Sequence, residues 1–151
     1  MKKTKIKRLP KIEVICNSAK IILKDKINRV NASVKDFLKD DSIENLHQVR
    51  IAIRRLRYNM EIFKKCFEKK KFLVFYNIIE QLQDNTGSKR DLDVFAKNII
   101  QLSVDNDISI DTRIISLVEE KKFILNESLK VAFKEYLKGR ELKEFSKLLN
   151  S

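Results

Sequence analysis

Two glycines, Gly87 and Gly139, and one proline, Pro10, are all that a chain of 151 residues offers for sharp reversals. Sandwiches and barrels need a turn roughly every ten residues, built from residues that reach positive φ or lock it. Their scarcity predicts helices. With 43% hydrophobic and 36% charged residues, the chain has enough apolar matter to bury a core. Its length suits one domain, expected over residues 12–151.

Apolar residues recur at helical spacing and divide the chain into four long units. The first runs from about Lys11 to Leu38, with Ile12, Ile15, Ala19, Ile22, Ile27, Val30, Val34 and Phe37 in one stripe. Ser42 or Asp41 is placed to cap a second helix that reaches about Lys69. A third begins near Lys71, breaks at Asn85-Thr86-Gly87-Ser88, and resumes from Asp91 to Ser103. Asp111 or Thr112 opens a fourth that runs to Lys138, and Gly139 separates it from a last amphipathic segment, Glu141 to Leu149. Long helices with short loops pack as antiparallel neighbours, so the expected fold is an all-α, up-and-down helical bundle.

The net charge of +12 is unevenly spread. Lys2, Lys3, Lys5, Lys7, Arg8 and Lys11 face no acid within residues 1–11, so a mobile basic arm is expected there and the body is only mildly basic. The sequence contains neither an apolar run long enough for a membrane span nor the apolar stretch of a signal peptide, which leads to the expectation of a cytoplasmic protein. Cys16 and Cys66, fifty positions apart, match no metal-ligand spacing and are expected to remain thiols that pack as small hydrophobes.

The second helix carries the chemistry. The chain has 24 lysines and 9 arginines, yet Arg50, Arg54, Arg55 and Arg57 fall within eight positions. General basicity would have supplied lysines, so the planar guanidinium fork is what this segment selects, and it matches oxyanions bidentately. At about 100° per residue, His47, Arg50, Arg54 and Arg57 form one line of roughly 15 Å. Val49, Ala52, Leu56, Met60, Phe63 and Phe67 take the opposite face. Such a row of cations repels itself unless something acidic lies opposite. The acid is either a ligand or an internal carboxylate, with Glu61, Asp91 and Asp93 as the internal candidates. No Gly-rich phosphate loop, metal-ligand set or nucleophile with a partner base is present, so neither catalysis, cofactor nor metal is expected.

The run Ile43-Glu44-Asn45-Leu46-His47-Gln48-Val49-Arg50-Ile51-Ala52-Ile53-Arg54-Arg55-Leu56-Arg57, followed by Phe63, resembles the signature of the CHAD domain, the conserved histidine α-helical domain. Arg90-Asp91-Leu92-Asp93-Val94-Phe95 is similar to a second element of that family, Arg-Asp-x-Asp-Val. The resemblance covers about residues 12 to 149. It implies a helical bundle that binds inorganic polyphosphate in a basic groove, and an association with polyphosphate granules. His47, Arg50, Arg54 and Arg57 are then the expected ligands. Arg55, Arg90, Lys20, Lys24 and Lys26 rank below them, and Asp91 and Asp93 are expected to fix arginine side chains or to cap the resumed helix. A full domain of this family resembles two similar halves, each with a His and Arg helix, and this sequence has one set. Half a groove predicts a homodimer that completes it, with Ile99, Ile100, Ile114 and Ile115 as contacts; the alternatives are a single half that binds polyphosphate by itself or a degenerate copy that has lost binding.

Polyphosphate offers charge and oxygen atoms but no bases, so recognition would be electrostatic and geometric. The competing expectation is a nucleic-acid binder, which the same cations would serve. Only Tyr58 stands beside the arginine row, few stacking platforms for a single-strand reader.

Overall fold

The computed structural model describes residues 12–151; the arm expected over residues 1–11 lies outside them. Within the described residues there are five α-helices and no strand: α1 (Ile12–Lys39), α2 (Ile43–Phe63), α3 (Lys69–Asn106), α4 (Thr112–Lys138) and α5 (Arg140–Asn150), with a 3₁₀ turn over Lys64–Cys66. The chain is an all-α bundle. α1 packs mainly on α2, α3 packs on α2 and α4, and α5 lies against α1 and α3.

Alternating spacings of three and four residues build the core. Leu23, Ile27, Val30, Val34 and Phe37 of α1 and Leu46, Val49, Ile53, Leu56 and Met60 of α2 are all buried. This spacing keeps one stripe facing a neighbouring helix over several turns. In α1 the buried line runs through Leu23 rather than Ile22, and Ile15 is left exposed. Phe75 stacks on Phe145 at 4.5 Å between ring centroids, and Phe37 meets Phe133 edge-on at 5.4 Å, which ties α3 to α5 and α1 to α4. The buried Tyr136 hydroxyl donates to Asn31 Oδ1 at 2.9 Å, and burial raises its pKa.

Local signals account for the helix ends. Ser42 Oγ accepts from the Asn45 amide at 3.3 Å, and Asp111 Oδ1 accepts from the Arg113 amide at 2.8 Å, each supplying an acceptor to a free N–H of the first turn. α3 ends where Asp107 turns left-handed at φ 51. At Gly139 a Cβ would stand 3.1 Å from the Glu135 carbonyl oxygen, so the tight passage from α4 to α5 favours a residue without one.

Three expectations are corrected. α2 stops at Phe63, not near Lys69. α3 does not break at residues 85–88: Thr86 Oγ1 donates back to the Gln83 carbonyl at 2.8 Å and Ser88 Oγ to that of Asp84 at 3.2 Å, so these polar side chains are satisfied on the helix itself. One interior glycine costs about 1 kcal/mol, too little to break a helix packed on both sides. Finally, Cys16 and Cys66 form a disulfide rather than standing as separate thiols. Antiparallel packing of α1 and α2 brings the N-terminal part of α1 beside the 3₁₀ turn, a proximity that sequence separation hides.

Candidate functional site

α2 lies with its apolar stripe on the core, and its opposite edge borders α3. Between the two helices is an open trough of about 470 Å³. His47, Arg50, Ile51 and Arg54 form its α2 side. Gln83, Asp84, Thr86, Gly87, Ser88 and Asp91 form its α3 side. The α3 set lies on one helical face, and the two small residues at its centre let the trough reach the backbone. A Cβ on Gly87 would meet nothing within 4 Å, so neither packing nor backbone angle demands glycine there.

Among the described residues, no side chain or backbone group accepts a hydrogen bond or an ion pair from the side chains of His47, Arg50 or Arg54. His47 and Arg54 are exposed and Arg50 is half-buried. Asp84 and Asp91 line the same trough without forming an ion pair with those arginines. The hollow is therefore polarised, with cationic donors along α2 and two carboxylates along α3.

Arg57 is placed differently. Its Nε donates to Glu61 Oε1 at 3.0 Å and to the Tyr76 hydroxyl at 3.1 Å, and that hydroxyl donates to Glu61 Oε1 at 2.7 Å. The Tyr76 hydroxyl is the main cause that holds the Glu61 carboxyl below its ordinary range; burial opposes it and the Arg57 guanidinium adds to it. Arg57 does not line the trough, and this closed triangle ties α2 to α3.

The lower-ranked candidates separate as well. Arg55 and Lys26 meet in a smaller hollow between α1 and α2, about 220 Å³, together with Arg29, which sequence reasoning did not single out. There Asp25 takes Arg29 at 2.9 Å and Lys26 at 3.3 Å, and Arg29 leads the causes that depress the Asp25 carboxyl. Lys24 reaches to Asn150 Oδ1 at 2.9 Å, on the α5 side of α1. Lys20 and Arg90 are half-buried and line neither hollow. Asp93 fixes lysine rather than arginine: its carboxylate takes Lys89 at 2.6 Å in a buried pair, with Lys122 of α4 at 4.0 Å. The α3 wall of Gln83, Asp84, Gly87 and Ser88 was missed because that stretch reads as a break; an unbroken helical count through it would have grouped them.

Comparison with curated proteins and with solved structures finds no match. The CHAD domain family model matches residues 9–101, which include the arginine helix, the trough and the Arg90–Val94 element. With more than half of its length so matched, the chain belongs to the CHAD domain family.

Proposed function

We propose that this chain binds inorganic polyphosphate along the α2 side of the trough, as a binder and not as an enzyme. The reading is carried by His47, Arg50 and Arg54, which border one hollow without an internal counter-ion among the described residues. Each arginine presents a planar pair of donors to phosphate oxygens, and His47 adds one donor when neutral and two when protonated. Asp84 and Asp91 repel anions from the α3 wall and so confine a phosphate chain to the arginine edge. Arg57 takes no direct part; it holds the helix pair at its working separation. Among the described residues no helix is long and apolar enough to cross a membrane. A cytoplasmic, granule-associated protein is the setting we propose.

The test is a polyphosphate isotherm across a salt series, with competition by single-stranded RNA and duplex DNA at matched charge. The two arginines give an expected slope of about −1.4 in log affinity against log salt, and about −2 with a protonated His47, by analogy with single-stranded nucleic acid. Polyphosphate should displace nucleic acid and remain uncut with or without magnesium. Preferential retention of RNA or DNA would favour the nucleic-acid reading, and release of orthophosphate would refute pure binding.

A further inference from the structure

No residue between Asp93 and Leu129 is buried. Over this stretch α3 and α4 run together as a two-helix hairpin beyond the bundle, and eleven large apolar side chains, from Val94 to Ile124, stand 37 to 72% exposed. That amounts to roughly 1,000 Å² of apolar surface, divided between the two sides of the hairpin. Two helices alone cannot cover their own apolar stripes.

The exposed residues are ordered. On α3, Asp84, Ser88 and Asp91 of the trough continue as Phe95 and Leu102 on the same helical face, with half-buried Ile99 between them. On α4, Ile114, Leu117 and Ile124 occupy the matching side. The phase is fixed nearer the bundle, where Gln81 and Asn85 of α3 meet Ala132 and Glu135 of α4 around one hollow. Counting outward from these residues brings the two stripes to the same side of the hairpin.

We propose that this side of the hairpin receives a second copy of the chain, α3 of each copy lying against α4 of the other to give four packed helices around a twofold axis. The face supplies roughly 500–600 Å² of apolar surface, the apolar share expected of a homodimer interface of about 800 Å² per partner. Charge agrees with this placement. Residues 94–128 carry six acidic and four basic groups, whereas the rest of residues 12–151 carries 15 acidic and 23 basic groups. Two copies would therefore meet at hairpins of net charge −2 each, a smaller like-charge repulsion than the +8 of the rest of residues 12–151 would set up, and their basic bodies would be held apart. The pairing does not depend on the ligand. If the polyphosphate reading holds, it also sets two troughs on one particle, which strengthens retention of long chains through effective concentration.

Sedimentation of the full chain from about 1 to 100 µM in high salt, with non-reducing electrophoresis to exclude cross-chain disulfides, tests the proposal. A dimer is expected for the unaltered chain. Phe95→Glu with Leu102→Glu should weaken association at least tenfold at unchanged helicity. Because both positions are exposed in the monomer, the core is untouched; Phe95→Ser with Leu117→Ser provides a milder second variant. A monomer throughout the range overturns the proposal. So does a dimer that survives both variants, or one that dissociates only with Val104→Glu and Phe123→Glu on the other side. Polyphosphate binding by a clean monomer would leave the function standing while removing the pairing.

Discussion

Arg54 and Arg57 stand about one turn apart on the same edge of α2, and their surroundings set them to different work. Arg54 is exposed above the trough with Asp84 and Asp91 on the far wall. Arg57 is only 25% exposed and closed into a triangle with Glu61 and Tyr76. Residue type and helical phase are shared, so neither distinguishes a cation kept for a ligand from one committed to the fold. The difference lies in a carboxylate four residues on and a hydroxyl from the next helix.

The largest effect should come from Arg50→Ala with Arg54→Ala. Losing two charge-assisted contacts of about 1.5–3 kcal/mol each predicts at least a hundredfold loss of polyphosphate affinity. The melting temperature should barely move, as for most surface substitutions; isotherms and thermal melts on one sample measure both. Asp84→Asn with Asp91→Asn tests the opposite wall. Relief of repulsion across the trough should tighten binding about fivefold at low salt, an advantage that shrinks as salt rises. Weaker binding would mean that these carboxylates orient the arginines.

Arg57→Ala should reverse the pattern, destabilising the fold by about 1 kcal/mol in a denaturant titration while changing affinity less than threefold. Gly87→Ala sharpens the contrast from the α3 side. It should stabilise the helix by about 0.5–1 kcal/mol yet lower affinity a few-fold, because the added methyl occupies space that a phosphate chain would approach. Acidification should produce the smallest effect. The Glu61 carboxyl titrates below its ordinary 4.5, so its stabilisation is complete above that value and is lost as pH falls through the lower, folded-state pKa. An acid titration of Tyr76→Phe should have a shallower slope below about pH 4.5 than that of the unaltered chain.

The distinction between the two arginines was partly visible in the sequence. Glu61 lies four residues after Arg57, an ordinary helical ion-pair spacing, but Tyr76 comes from a helix whose phase relative to α2 no local pattern reveals. The spans of α1, α4 and α5, the Ser42 and Asp111 caps and most of the core that α1 and α2 supply were legible because they depend on neighbours along the chain. The wall of the trough was not. Asn-Thr-Gly-Ser has the composition of a turn, and only packing on α2 and α4 keeps it helical. The Cys16–Cys66 bridge escaped for the same reason: it is created by the antiparallel return of α2. Reduction should cost about 4 kcal/mol, the chain-entropy value for a loop of that length, so melts with and without reductant measure how far the bundle relies on it.

α3 extends unbroken from Lys69 to Asn106, about 57 Å at the rise of an ideal helix. Its buried stripe begins as Phe72, Phe75, Ile79 and Leu82 and turns polar at Thr86, Lys89 and Asp93, after which no residue of α3 is buried. The helix is therefore a cantilever, clamped at one end and carrying the aspartate wall near its fulcrum. The aspartate wall and the exposed apolar tip thus belong to one continuous rod rather than to separate elements.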